Sequence, residues 1–554
     1  MGPAAEGKAA LSTSPHESQE PGDPAVTSGA RALVATLVAS GVDTCLANPG
    51  TSEMHFVAAL DSVPGLRPVL GLSEGVVTGA ADGYGRVAGR PAAALLHLGP
   101  GLANGVANLH NARRARTPVV VVVGDHATYH KRLDAPLESD LDALAGTVST
   151  WVRRSWRPGD VGAHAASAVA AARSAPGGVA TLVLPADVSW GAGGVVAAPR
   201  PPRPPAPPSD ADLDAALLAL RSAEPTVILV GGEVVADPAA QDLVLRLATA
   251  AGARLVCETF PARMARGSGR ARIARLAYLA EMAAAQLDGA RHLVLLGARR
   301  PVAFFAYPGR PGDLVPDGCS VCELAPPGVD AIGALRALAE ALAGAGVGSP
   351  RGDPVDHHRG AVRAERPSGP IDPETLGAAV GVTLPEAAVV VDESVSSSFG
   401  LGAGLAGAAP HDLLTLTGGA IGFGLPCATG AALAGDGRPV LCLQADGSAL
   451  YTLPALWTQA RESLDVTTVI IDNRSYAILA TELDRVEAGA PGPLARSLLD
   501  LSRPDLDFVS LARGLGVPAS RAETAEELTR QLAAAHAEPG PHLIDAVVAA
   551  PVGR

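Results

Sequence analysis

The chain predicts an α/β protein built as three doubly wound, parallel-sheet domains, and three observations lead there. Short Val/Leu/Ile runs alternate with alanine-rich helical stretches along nearly its whole length, the pattern of sheets covered on both faces. Two compositional breaks interrupt that alternation. At 554 residues the chain is also too long for a single hydrophobic core, since one core rarely serves more than about 250 residues.

Taken in order, residues 1–26 are rich in Gly, Pro, Ser and Glu without periodicity and read as a disordered tail. The first domain, 27–195, contains the strand-like runs Ala94–Leu98 and Val119–Val123. Proline density from Pro199 to Pro208 makes 196–209 an extended linker. A central Rossmann-like domain, 210–345, carries Thr226–Val230 and His292–Leu296. A second linker, 346–371, mixes Gly, Pro and charge, and the last domain, 372–554, holds Ala388–Asp392, Val440–Leu443 and Val466–Ile471.

The net charge of -13 argues against nucleic-acid or anionic-membrane partners, which select basic faces. With no signal-like leader and no apolar run of membrane-spanning length, a cytoplasmic location is expected. The cysteines at 45, 257, 319, 322, 427 and 442 are scattered and read as buried strand thiols; Cys319-Ser-Val-Cys322 has metal-like spacing but no second pair.

The chemistry concentrates in the last domain. An apolar run from Val440 ends in Asp446-Gly447-Ser448, and a second, from Val466, ends in Asp472-Asn473, 27 residues beyond Asp446. Strand, helix and strand in that order bring Asp446 and Asn473 to the carboxyl ends of adjacent parallel strands, where open α/β sheets bind ligands. One carboxylate and one amide oxygen suit a hard cation such as Mg2+, which completes its shell with phosphate and water. A helix is expected from Ser448 to Trp457, with Pro454 in its first turn and Leu453, Leu456, Trp457 and Ala460 buried. Its free N–H groups would attract a diphosphate.

These runs resemble the thiamine diphosphate enzymes of the acetohydroxyacid (acetolactate) synthase and benzoylformate decarboxylase group, over nearly the whole chain from about residue 28. Runs such as Phe56-Val-Ala-Ala-Leu60 are similar to actinobacterial acetolactate synthase large-subunit homologues. The resemblance implies Mg2+ held by Asp446, Asn473 and the Ser475 carbonyl, with Gly447, Ser448 and Tyr476 beside the diphosphate. Ala445 and Asp472 depart from the family's Gly-Asp-Gly and Asn-Asn pattern without removing a ligand. Glu74, in Leu72-Ser-Glu-Gly75, matches the glutamate that hydrogen-bonds the aminopyrimidine. Gly419 and Ile421 match the segment that cradles that ring, and Ser394, Val395 and Ser396 the second diphosphate turn.

On the substrate side, Asn48-Pro-Gly-Thr51 and the strand-end His97 resemble the decarboxylases, which makes Thr51 and His97 candidate catalytic residues beside Glu74. Gly99-Pro-Gly-Leu-Ala-Asn104 resembles the synthases instead. The synthases' Arg-Phe-Asp-Asp-Arg motif is missing; the matching stretch is Gly297–Tyr307, with Phe304 or Phe305 near the place of the decarboxylases' second histidine, so FAD is unsupported. The resemblance implies decarboxylation of a pyruvate-like 2-oxo acid with carboligation to a second one. Simple decarboxylation to an aldehyde, with His97 as proton donor, is the alternative, and a non-catalytic cofactor-binding paralogue a further one. It also implies a homodimer or homotetramer in which Glu74 reaches the site from a neighbouring subunit.

Overall fold

The computed structural model describes residues 27–548 apart from 308, 310–311, 345–362, 436, 487–488 and 490–491. The predicted tail and most of the second linker lie outside the described residues. The first sheet contains β1 (Thr44–Ala47), β2 (Arg67–Leu70), β3 (Ala93–His97), β4 (Val119–Asp125), β5 (Trp151–Arg154) and β6 (Val179–Pro185). Their order is β2-β1-β3-β4-β6-β5, with every pairing parallel. Helices cover both faces, so β4 and β6 are buried along their whole length. That double burial is why the valine run of β4 shows no alternation.

The middle segment supplies β7 (Thr226–Val230), β8 (Arg254–Cys257), β9 (Met264–Arg266), β10 (Ala274–Arg275), β11 (His292–Leu296) and β12 (Ser320–Ala325). Five of these form a parallel sheet in the order β10-β8-β7-β11-β12. The third sheet takes β13 (Val389–Glu393), β14 (His411–Thr415), β15 (Val440–Ala445), β16 (Val466–Asp472), β17 (Ala519–Ala522) and β18 (His542–Val547). Its order, β17-β18-β16-β15-β13-β14-β9, ends in an antiparallel strand from the middle segment, with Ala265 opposite Asp412. A three-residue strand carries no periodic signal, so the all-parallel expectation fails only at that edge.

The first and third sheets are joined by two helices, Glu74–Ala88 and Gly424–Leu433, that cross at glycines. A Cβ on Gly83 would stand 2.0 Å from the Cys427 carbonyl oxygen, and one on Gly430 1.8 Å from that of Ala80. No larger residue permits this crossing. Arg86 pins it: its guanidinium takes Asp82 bidentately at 2.9 and 2.6 Å, donates to the Thr415 carbonyl at 2.7 Å, and stacks over the Phe423 ring. Both members of the ion pair are fully buried, which makes the joint intolerant of losing either.

Four of the six free cysteines are buried, but Cys319 and Cys322 are only half-buried, because β12 lies at the edge of its sheet. Among the described residues no helix is long and apolar enough to cross a membrane.

Candidate active site

Strand register sets the first half of the site. Ala445 of β15 pairs with Ile471 of β16, so Asp446 and the Asp472-Asn473 pair leave neighbouring strands at the same edge. Asp446 is 2% exposed; Oδ1 accepts from the Gly447 N–H at 2.8 Å, while Oδ2 has no hydrogen-bond partner among the described residues. Burial, with the nearby Asp472 carboxylate adding to it, pushes the Asp446 carboxyl up to about 6. A buried carboxylate oxygen without a donor is costly, and a bound cation is the usual remedy.

Beside it, the Asn473 side-chain oxygen accepts from the Ser475 N–H at 3.0 Å, closing a tight turn over Arg474, whose φ is 57°. Among the described residues no group of three or more His, Cys, Asp or Glu side chains could hold a metal ion. The donor set here is therefore one carboxylate plus amide and carbonyl oxygens, which suits a hard cation sharing its shell with phosphate. Asp446 and Asn473 thus follow the ends of paired strands, and the orphaned Oδ2 is of a kind a metal would satisfy.

The helix expected after Gly447 is instead two pieces, Asp446–Ala449 and Ala455–Arg461. Pro454 has no N–H to continue the first piece, and the Thr452 hydroxyl is drawn away to the Gly422 carbonyl at 3.0 Å. Leu456 is buried as expected, while Leu453, Trp457 and Ala460 are half-buried. The Ser448 hydroxyl is already engaged, donating to the Ala445 carbonyl at 3.2 Å and accepting from Gln444 at 2.5 Å. Its backbone, and not its hydroxyl, is what remains for a phosphate. The Tyr476 ring lies over Gly447, where a Cβ would come within 2.5 Å of it.

In the turn expected to meet the diphosphate, Ser394 is buried and donates its hydroxyl to Asp392 at 2.5 Å, Val395 takes a left-handed φ of 49°, and Ser396 is half-buried. Strained backbone of this kind gathers at ligand sites.

The segment expected to cradle a pyrimidine links β14 to the helix Gly424–Leu433, with Gly419 at a φ of 75° and Ile421 half-buried. A residue without an assigned role in the sequence holds it. Glu393, 1% exposed at the end of β13, accepts from the N–H groups of Gly422 at 2.7 Å and Gly424 at 2.5 Å, and from Gln444 at 3.1 Å. Burial outweighs those donors and pushes its carboxyl up to about 7. From the first sheet's side, Asn111 brackets Ala420, donating to its carbonyl at 2.8 Å and accepting from its N–H at 3.2 Å. Asn108 donates to both the Gly75 carbonyl at 2.9 Å and the Gly422 carbonyl at 3.3 Å.

That last bridge sets Glu74 beside the cradle. Glu74 begins its helix after the N-cap Ser73, is half-buried, and accepts from Asn104 at 3.2 Å. Within the chain, the crossing of the two glycine-bearing helices brings the start of the Glu74 helix close to Gly422.

On the far side of Glu74 stands His97, at the end of β3. Glu74 Oε1 and the His97 Cβ lie within 3.2 and 3.4 Å of where a side chain on Gly101 would begin. His97 Nδ1 is 2.8 Å from Glu53 Oε2 and 3.1 Å from the Ser52 hydroxyl. Glu53 is buried and also accepts from the Gly50 N–H at 2.7 Å and Ser52 at 2.5 Å. With a carboxylate against Nδ1, that nitrogen carries the proton and Nε2 keeps its lone pair. Thr51 is exposed at the start of the turn before Glu53 and makes no such contact.

An unpaired buried carboxylate oxygen, a glycine-rich turn held by Glu393 and an oriented histidine lie on two joined α/β sheets. The chain belongs to the thiamine pyrophosphate enzyme family: the model for its N-terminal TPP binding domain matches residues 27–145 and that for its C-terminal TPP binding domain residues 404–546. It is 59% identical over 526 residues, 95% of this chain and 100% of the relative, to a Mycobacterium tuberculosis protein with the provisional name acetolactate synthase large subunit IlvX. It is 32% identical to benzoylformate decarboxylase of Pseudomonas aeruginosa, over 91% of this chain and 96% of that one. Among solved structures, the thiamine diphosphate-dependent 4-hydroxybenzoylformate decarboxylase of Rhodococcus jostii RHA1 superposes with a TM-score of 0.78 at 25% identity, covering 95% of this chain and 100% of that one.

Proposed function

We propose that this enzyme decarboxylates a pyruvate-like 2-oxo acid and joins the remaining fragment to a second 2-oxo acid, as acetolactate synthases do. The observations that support this most are the Asn108 bridge between Gly75, next to Glu74, and Gly422, and the unpaired Asp446 oxygen at the end of β15. Asp446, Asn473 and the Ser475 carbonyl would hold Mg2+. Gly447, Ser448, Ser394, Val395, Ser396 and Tyr476 would border the diphosphate, and Gly419 and Ile421 the pyrimidine. When bound, thiamine diphosphate supplies the nucleophilic carbon and the electron sink; the protein orients and desolvates it.

The side chains then have separable tasks. Glu74 holds a proton at the pyrimidine, and His97 Nε2 holds or delivers one at the substrate while Glu53 fixes the ring. Thr51 is proposed as a carboxylate contact, from the turn that also carries Glu53. Release of an aldehyde without ligation is the second reading; the oriented His97 and the decarboxylase relatives favour it. The site is proposed to work in a homodimer or homotetramer in the cytoplasm, as a family resemblance implies. Glu74→Ala tests the catalytic reading: the protein is expected to bind thiamine diphosphate with Mg2+ and lose turnover, and full activity in that variant would overturn it.

A further inference from the structure

A cavity of about 330 Å³ opens at the amino ends of β13, β14 and β15, the edge of the third sheet opposite Asp446 and Glu393. It lies where β9 joins the sheet, so the middle segment and the last one both build its wall. Three guanidiniums line it, from Arg263, Arg270 and Arg438. Arg263 and Arg438 converge on a single oxygen, Asp412 Oδ2, at 2.9 and 2.6 Å. One shared carboxylate leaves that pair in positive excess. Arg438 is further tied to the Ala387 carbonyl at 2.6 Å, which fixes its plane. Arg270 is half-buried and makes no side-chain hydrogen bond or ion pair among the described residues, and the one further acid in the wall, Glu386, is exposed at the rim.

The second observation is a buried acceptor. His411 is 4% exposed, and its Nδ1 lies 2.8 Å from the Ala409 carbonyl, so Nδ1 carries the proton. Nε2 has no partner among the described residues, and neither has the buried Nε of Arg263. Burial pushes the imidazole down to about 4, so it is neutral at physiological pH and offers a lone pair. Both atoms are closed off from the cavity's open volume, and because a buried polar atom without a partner is costly, a small shift of either side chain that lets a ligand meet it is favoured.

We propose that this cavity is an anion site that takes the phosphoryl group of a small phosphomonoester. Guanidinium forks match phosphate oxygens in geometry as well as charge. A phosphoryl group near its second pKa of about 6 keeps one O–H part of the time, and that hydroxyl is the donor His411 Nε2 lacks. The volume leaves room beside the phosphoryl group for a short organic chain. Sulfate has the same shape and no proton to give, so it should bind poorly.

The test is calorimetric titration of the protein saturated with thiamine diphosphate and Mg2+, so that the diphosphate corner is already filled. Inorganic phosphate and glycerol 3-phosphate are expected to bind one per chain, the monoester more tightly, with sulfate at least tenfold weaker at pH 6.5. Arg270→Gln is expected to weaken phosphate at least tenfold while leaving the unfolding temperature and turnover unchanged, and His411→Gln to erase the preference over sulfate. No binding into the millimolar range, or wild-type affinity in Arg270→Gln, would overturn the site. Equal binding of sulfate and phosphate, or of inorganic phosphate without the monoester, would overturn the assigned ligand.

Discussion

Glu53 Oε2 lies 2.8 Å from His97 Nδ1, with Gly50 and Gly124 leaving the room that makes the contact possible. A Cβ on Gly124 would stand 1.5 Å from Glu53 Oε1, and one on Gly50 2.3 Å from His97 Nδ1. Glu53 thus acts through the histidine it orients. Glu53→Gln is expected to lower kcat by roughly ten- to a hundredfold, at or below the lower end of the range for positioned proton transfer because the histidine itself is kept, and to reshape the pH–rate profile with little change in KM. Steady-state kinetics across pH checks this; a wild-type profile would mean that the pair is only structural.

Asp446 links pH to both stability and cofactor loading. Its carboxyl is raised from 3.8 to about 6 in the fold, and that of Glu393 from 4.5 to about 7. The folded state therefore binds more protons than the unfolded chain between those values, and stability falls as pH rises through that window. The cofactor-free protein is expected to melt a few degrees higher at pH 5 than at pH 7.5 on account of these two groups, with the difference shrinking in Asp446→Asn. Calorimetry on both proteins measures it. Loading with Mg2+ and thiamine diphosphate runs the other way, because the metal needs the ionised carboxylate, and it should weaken as pH falls below about 6.

Glu393→Ala removes the acceptor for two cradle N–H groups and is expected to weaken thiamine diphosphate binding about tenfold, the loss from two charge-assisted hydrogen bonds being partly recovered by water. Glu393→Gln keeps one acceptor oxygen and should fall between. Equilibrium dialysis against the cofactor separates the three proteins.

Arg86→Ala leaves Asp82 buried with only Thr117 as a side-chain partner and breaks the joint between the first and third sheets. A loss of about 3 to 5 kcal/mol is expected, as for other half-broken buried pairs, read as a fall in the denaturant midpoint. Arg86→Lys should recover only part of it, since an ammonium cannot span Asp82 and the Thr415 carbonyl together.

The residues that were legible in the sequence are those whose roles depend on local order. Asp446 and Asn473 follow strand ends at a fixed spacing, and β7 and β11 begin and end where their apolar runs do. Glu53 and Glu393 stand inside runs that the sequence marked out, yet their tasks depend on partners 44 and 29 residues away, brought near only by the sheets. Asn108 and Asn111 are polar residues within a helix, a pattern that normally signals nothing. The nearness of the Glu74 helix to Gly422 was hidden for a different reason. It rests on glycines whose importance lies in what is absent from them, whereas the break at Pro454 follows from that residue's missing N–H.

The most direct measurement is product analysis after incubating the protein, thiamine diphosphate and Mg2+ with pyruvate, 2-oxobutyrate and benzoylformate in separate and paired reactions. Release of carbon dioxide with formation of acetohydroxy acids from pyruvate, lost in Glu74→Ala, is the result expected. Free aldehyde as the sole product would contradict ligation, and no turnover of any 2-oxo acid by cofactor-loaded protein would contradict the catalytic account itself.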